Sequence, residues 1–168
     1  LDFYRRLRAE FPAHVGVVLQ ACLRRTPADI AALADQPLNI RLCKGIYREP
    51  RHTAYQDPAT INRSYVYCLD KILAQKGYVG IATHDEKLVF EALSLLDKYG
   101  LQRTEYEFQM LLGVDEELRQ IIVAAGHRLR IYVPYGAAWL PYSKRRLREN
   151  PAIARHVLRQ MLGLKPGG

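Results

Sequence analysis

Short apolar runs punctuate the chain at VGVVLQ (Val15 to Gln20), NIRLCK (Asn39 to Lys44), YVGIAT (Tyr78 to Thr83), YEFQML (Tyr106 to Leu111) and LRIYVP (Leu129 to Pro134). Their brevity and their content of β-branched and aromatic residues predict buried strands. Between them the apolar positions recur at helical spacing. Thr26-Pro27-Ala28-Asp29 reads as a cap and N1 proline opening one helix, and Asp57-Pro58 opens another that runs to about Gln75. A third is expected from near Asp85 to Gly100, and a fourth from near Asp115 to Gly126. From the start of one strand to the start of the next is roughly two dozen residues, the length of a βα repeat, so the strands are expected to be parallel. Only the second unit is longer, and its extra length holds the polar loop Tyr47-Arg48-Glu49-Pro50-Arg51-His52.

The carboxyl ends of these runs carry polar residues in phase: Gln20, Lys44, Thr83 with His84, Gln109, and Tyr132 with Tyr135. In a parallel α/β barrel such ends converge on one mouth, where ligands bind. Any one of them alone would be an ordinary loop hydrogen-bonder; their recurrence predicts a ligand-facing rim. With Arg41 on the second run, the rim offers donors and cations, which suits a large anionic cofactor carrying phosphates and a hydrogen-bonding ring. Neither GxGxxG nor GxxxxGK[ST] occurs, so a Rossmann or P-loop phosphate site is not supported. His84-Asp85 by itself is too little for a catalytic triad, and no carboxylate cluster suggests a metal.

Composition narrows the picture. The 168 residues are 49% hydrophobic, enough to bury one core, so one domain or part of one is expected. The net charge is +8, but outside Lys144 to Arg148 the cations are dispersed among acids. Steering of anionic ligands follows; a dedicated nucleic-acid surface does not. Cys22, Cys43 and Cys68 have no CxxC or metal spacing and read as reduced packing thiols, which suits a cytoplasmic compartment. The opening LDFYRRLRAE has neither a signal-peptide pattern nor an initiating Met, so the chain is expected to begin mid-gene or after processing. The basic stretch is YSKRRLRE. If helical, it places Tyr142, Arg145, Arg146 and Glu149 on one stripe. Paired guanidiniums there suit a carboxylate or phosphate; a basic surface patch or nucleic-acid contact is the competing reading.

In order and spacing, VLQACLRRT (Val18 to Thr26), RLCKGIY (Arg41 to Tyr47), ATHD (Ala82 to Asp85), YEFQMLLG (Tyr106 to Gly113), RIYVPYG (Arg130 to Gly136) and YSKRRLRE resemble the FAD-dependent proline dehydrogenase family. The short link between the last two looks more like the monofunctional bacterial enzymes than the bifunctional proline utilisation A proteins. The resemblance implies a (β/α)8 TIM-type barrel, which takes roughly 250 residues. The chain would then supply the fourth to eighth βα units over residues 1–164, with 165–168 a loose tail.

Roles carried over from the resemblance are as follows. Arg41 matches an arginine near flavin N5, Lys44 matches the motif lysine beside the cofactor, and Cys43 and Gly45 on either side of it match cofactor-binding positions. Gln20, Thr83, His84 and Gln109 match FAD contacts, as does Arg146, and Glu149 matches a glutamate at the adenosine end. Arg145 and Arg146 match the pair that holds the proline carboxylate, Leu111 and Tyr132 match walls around the pyrrolidine ring, and Tyr142 matches a tyrosine closing over it. Catalysis is then expected to rest on Arg41, Tyr132 and Tyr142, with L-proline oxidised to Δ1-pyrroline-5-carboxylate. A quinone or other electron acceptor and peripheral contact with the inner membrane are implied by the same resemblance. The chain departs from the family at Ile46-Tyr47-Arg48, where members often carry an aromatic Tyr-Trp. It also lacks the family's first part, which bears a substrate-binding lysine and a neighbouring aspartate. A different class of protein, an inactive barrel fragment serving as an oligomeric or binding module, remains the alternative.

Overall fold

The computed structural model describes residues 1–12, 14–35, 37–45, 49–133 and 135–137. Five strands form one sheet in sequential order: β1 (Val17–Gln20), β2 (Asn39–Cys43), β3 (Tyr78–Ala82), β4 (Tyr106–Leu111) and β5 (Leu129–Tyr132). Every neighbouring pair is parallel. The strands match the five apolar runs, trimmed by one or two residues where the backbone leaves the ladder for a loop. Helices α2 (Thr26–Ala31), α3 (Pro58–Ala74), α4 (Glu86–Lys98) and α5 (Glu116–Ala124) connect them.

The helices pack on one face of the sheet. On α3 the buried residues Tyr65, Cys68, Leu69, Ile72 and Leu73 recur at the 3.6-residue period, and on α4 Leu88, Val89, Ala92 and Leu96 do the same. They meet Ile40, Leu42, Val79 and Ile81, all fully buried, and Tyr106, Phe108 and Met110 of β4. Each large aliphatic side chain buried here contributes roughly 1.5–3 kcal/mol relative to exposure. Tyr65 keeps its hydroxyl satisfied inside this layer by donating to the Leu42 carbonyl at 3.2 Å.

Three helix starts are built as the residue types imply. Asp57, Asp85 and Asp115 each accept a hydrogen bond from a backbone N–H of the first turn. The expectation that Thr26 caps α2 is corrected: Arg25 is the N-cap residue, no side chain caps the helix, and the Thr26 hydroxyl donates to the Gln20 carbonyl at 2.6 Å. The buried hydroxyl satisfies the end of β1 instead. A further helix, α1 (Asp2–Glu10), was not foreseen. Its Arg8 is buried, donates to the Tyr4 hydroxyl at 2.8 Å and also binds the carbonyls of Val15 and Pro37. This arginine ties together the approaches to β1 and β2 at the amino ends of the strands.

The other sheet face is different in kind. Alternation along each strand places Val18 and Gln20, then Asn39, Arg41 and Cys43, then Tyr78, Gly80 and Ala82, then Glu107, Gln109 and Leu111, then Arg130 and Tyr132 on it. Among the described residues no helix covers this face, and Val18 and Tyr132 are half exposed.

Candidate active site

The polar residues at the strand ends occupy two levels. Register aligns Gln20, Cys43, Ala82 and Gln109 in one row, with Arg130 next to Gln109 on β5. Arg41 lies one side-chain level deeper, opposite Gly80. Lys44, Thr83, His84, Leu111 and Tyr132 lie above or at the last ladder residues. Arg41 therefore belongs to the inner wall, Gln109 reaches down to it from the row above, and the others form the mouth.

At the mouth, Asp85 is the organiser. Its Oδ1 caps α4 through Lys87 N–H, while Oδ2 accepts from Lys44 Nζ at 2.9 Å and from Asn62 Nδ2 at 3.2 Å. Burial raises the Asp85 carboxyl, but the Lys44 ammonium, Asn62 and the Lys87 amide outweigh it and hold the group below its ordinary value. Thr83, almost fully buried, accepts from Asp85 N–H at 3.1 Å, and His84 Nε2 accepts from the Leu111 amide at 3.3 Å. The loop after β3 is thus pinned to its neighbours on both sides, and the Lys44 ammonium is aimed rather than free to sweep.

Gly45 follows Lys44 at φ +93°, a conformation that favours glycine. A Cβ there would overlap Cys22 Sγ and stand 2.9 Å from Gln20 Oε1. The chain therefore turns tightly against the loop after β1. That loop also carries an antiparallel bridge from Leu23 to Ala54, and the Arg24 guanidinium lies 4.4 Å over the Tyr55 ring. The polar stretch expected to be a simple loop on the carboxyl side of β2 is, over residues 49–56, packed against the β1 loop. Burial raises the thiols of Cys22 and Cys68, the latter to about 11, which fits their reading as unreactive packing groups.

The inner wall holds a connected polar row. Arg41 Nε donates to Gln109 Oε1 at 2.7 Å, and Gln109 Nε2 donates to Glu107 Oε1 at 2.6 Å. Arg130 grips the Glu107 carboxylate with two bonds of 2.6 and 2.9 Å. Glu107 is almost fully buried. Burial alone would raise its carboxyl, but the bonds from Arg130 and Gln109 and the Arg130 charge depress it. These residues, with Asn39, Tyr78 and Arg128, line a cavity of about 560 Å³.

Sequence reasoning named Gln20, Arg41, Cys43, Lys44, Gly45, Thr83, His84, Gln109, Leu111 and Tyr132, and all ten lie on the inner face or its carboxyl-end rim. It missed Glu107, Gly80, Asn62 and Arg130, and it named Asp85 only as a helix start and as part of an insufficient triad. Tyr142, Arg145, Arg146 and Glu149, and the departure at Ile46-Tyr47-Arg48, lie outside the described residues. Among the described residues no three His, Cys, Asp or Glu side chains gather as a metal site, and no helix is long and apolar enough to cross a membrane.

The family profile for proline dehydrogenase matches residues 1–159. Among curated proteins, the chain is 39% identical over 163 residues to proline dehydrogenase of Deinococcus radiodurans, covering 96% of this chain and 53% of the relative. It is 35% identical over 162 residues to proline dehydrogenase 1 of Bacillus subtilis, again covering 96% of this chain and 53% of the relative. The chain spans about half the length of the curated relatives it matches. Among solved structures, a variant of Bradyrhizobium japonicum Proline Utilization A superposes with TM-score 0.69 at 29% identity, over 84% of this chain and 17% of that one. Proline utilization A from Bdellovibrio bacteriovorus, inactivated by N-propargylglycine, has the same fold over 90% of this chain and 19% of its own, with TM-score 0.74 at 24% identity. The match over nearly the whole sequence, with the parallel sheet and its polar rim, makes the chain a member of the proline dehydrogenase family.

Proposed function

We propose that the intact protein is an FAD-dependent proline dehydrogenase and that this chain provides the last five βα units of its (β/α)8 barrel, over residues 1–164. The observation that carries the reading is the inner sheet face. Parallel sheets are normally covered on both faces, yet here helices cover one face while the other presents Arg41, Gln109, Glu107 and Arg130 around a cavity. Closure by the strands that account for the relatives' greater length would turn that face into a barrel interior and seal the edges β1 and β5.

The donor set fits a flavin dinucleotide. Gln20, Thr83, His84 and Lys44 ring the mouth where phosphates and a ribityl chain need donors. Asn62 Oδ1, buried beside Asp85 without a partner among the described residues, offers an acceptor for hydroxyls. Arg41 would present its remaining guanidinium N–H groups to the edge of the isoalloxazine. When bound, FAD supplies an acceptor at N5 for the hydride from proline C5, and Δ1-pyrroline-5-carboxylate results. The protein's part is orientation. Arg145 and Arg146 would fork the substrate carboxylate, Leu111 and Tyr132 would wall the ring, and Tyr142 would close over it, excluding water. A quinone is the proposed final electron acceptor. No observation favours the inactive binding module.

The test is anaerobic stopped-flow reduction of flavin in the intact protein against proline concentration, with FAD content measured. Proline should bleach the flavin saturably. Arg145→Met or Arg146→Met should each cost about thirty- to one-hundred-and-sixtyfold in kcat/KM, since a charge-assisted contact is worth roughly 2–3 kcal/mol. Absence of FAD from the purified intact protein, or no reduction by proline, would overturn the reading.

A further inference from the structure

We propose that Gly80, Gln109 and Glu107 form a brace across β3 that sets the orientation of the Arg41 guanidinium, so that Glu107 and Gly80 are positioning residues of the site; this rests on the placement of Arg41 at the flavin edge. The brace joins strands that are not neighbours. Arg41 is on β2 and Gln109 on β4, so their 2.7 Å bond must pass over β3. It crosses at Gly80, which pairs in register with Arg41 on one side and with Glu107 on the other. A Cβ at position 80 would overlap Gln109 Nε2 and stand 2.9 Å from its Cδ. Gly80 does not adopt a positive φ, so backbone freedom does not explain it. Space for the amide does.

Glu107 fixes which way that amide faces. An ionised carboxylate only accepts, so Gln109 must turn its NH2 to Glu107 and its oxygen to Arg41. Arg130 clamps Glu107 with two parallel bonds from the far side, which prevents the carboxylate from swinging to follow Gln109. The chain of contacts thus runs from a bidentate ion pair, through an amide of fixed polarity, to Arg41 Nε. None of the hydrogen bonds among the described residues engages the other guanidinium nitrogens of Arg41, which are left to a ligand on the inner face. Gln109, expected from sequence to touch the cofactor, acts in this account through Arg41.

The experiment uses the intact protein labelled with 15N-arginine, in ligand-free and FAD-loaded forms, with wild type, Gly80→Ala, Gln109→Ala, the double variant and Glu107→Gln. The Arg41 Nε–H resonance, assigned by its loss in Arg41→Lys, should exchange slowly with water in wild type. Exchange should quicken on the order of tenfold or more in Gly80→Ala, Gln109→Ala and Glu107→Gln, as expected for losing a hydrogen bond to a charged group. The double variant should match Gln109→Ala, because the added methyl then has nothing to displace. In the loaded enzyme the limiting rate of flavin reduction should fall and the flavin midpoint potential should shift, while half-saturation by proline changes little. Unaltered Arg41 exchange in Gly80→Ala, or a double variant worse than Gln109→Ala, would overturn the brace. Quickened exchange with an unchanged potential and limiting rate would uphold the brace and overturn the placement of Arg41 at the flavin.

Discussion

Asp85 combines two jobs that substitution can separate. Its Oδ1 caps α4 and its Oδ2 holds Lys44 and Asn62. Asparagine caps a helix about as well as aspartate, so Asp85→Asn should keep the first job and lose the charge pairing. Both partners of the ion pair are about a third exposed, at 34% for Lys44 and 28% for Asp85, so solvent screening limits its worth to roughly 0.5–1 kcal/mol. Loss of the negative charge at the helix start adds about 0.3–0.5 kcal/mol. Asp85→Asn should therefore cost about 1 kcal/mol. Asp85→Ala should cost about 1 kcal/mol more, the usual value of a side-chain cap.

The assay is urea unfolding with the denaturant slope held common, on wild type, Asp85→Asn, Asp85→Ala, Lys44→Met and the Lys44→Met/Asp85→Asn double variant. The cycle should give a coupling of roughly 0.5–1 kcal/mol between Lys44 and Asp85 at low salt. That coupling should shrink as ionic strength rises, since the pair is only partly shielded from solvent. The cap increment between Asn and Ala should not respond to salt. Equal destabilisation by Asn and Ala would refute the cap. A coupling indistinguishable from zero at low salt would refute the claim that Asp85 aims Lys44.

Glu107 should make stability fall on acidification. Its carboxyl lies below the ordinary 4.5 in the folded protein, so its contribution is complete above that value and is lost as pH falls through the folded value; denaturation midpoints from pH 6 to 3 should decline less steeply in Glu107→Gln. Cys68, buried and with its thiol raised to about 11, should resist iodoacetamide in the native protein at pH 8 and be labelled only as the chain unfolds, read by peptide mass spectrometry.

The strands were legible because each is a short, β-rich run whose alternate residues are buried by helices, and that burial is what apolar pattern reports. The carboxyl ends of β2 and β3 were read one residue long. Lys44 and Thr83 continue the composition of their runs, but their side chains are engaged with Asp85, and the ladder stops before them. Helix α1 carries Phe3, Tyr4 and Leu7 at helical spacing, but its two buried residues are Tyr4 and Arg8 while Phe3 is exposed, so its apolar positions do not mark the buried face. An arginine that binds two carbonyls of distant segments has no sequence signature. Thr26 misled for a related reason: a threonine before a proline suits a cap, yet a nearby strand-end carbonyl was a better partner for its hydroxyl.

Glu107 shows where the limit of a single sequence lies. Two residues before Gln109 on a strand, it must share a face with it, and that much was available. That Arg130 stands beside Gln109 depends on the register of β4 with β5, which apolar pattern does not encode. The same register lets an almost fully buried carboxylate stay charged: alone it would cost several kcal/mol, and only a bidentate partner with a second donor offsets that. A well-packed apolar pair would often be no less stable there. Stability is thus no reason for charges on this face, whereas the proposed brace, which would hold the Arg41 guanidinium at one angle to the edge of a bound ring, would be one. The helix-covered face holds the fold together by apolar burial, and the proposed brace on the inner face would draw on that stability to keep Arg41 in place.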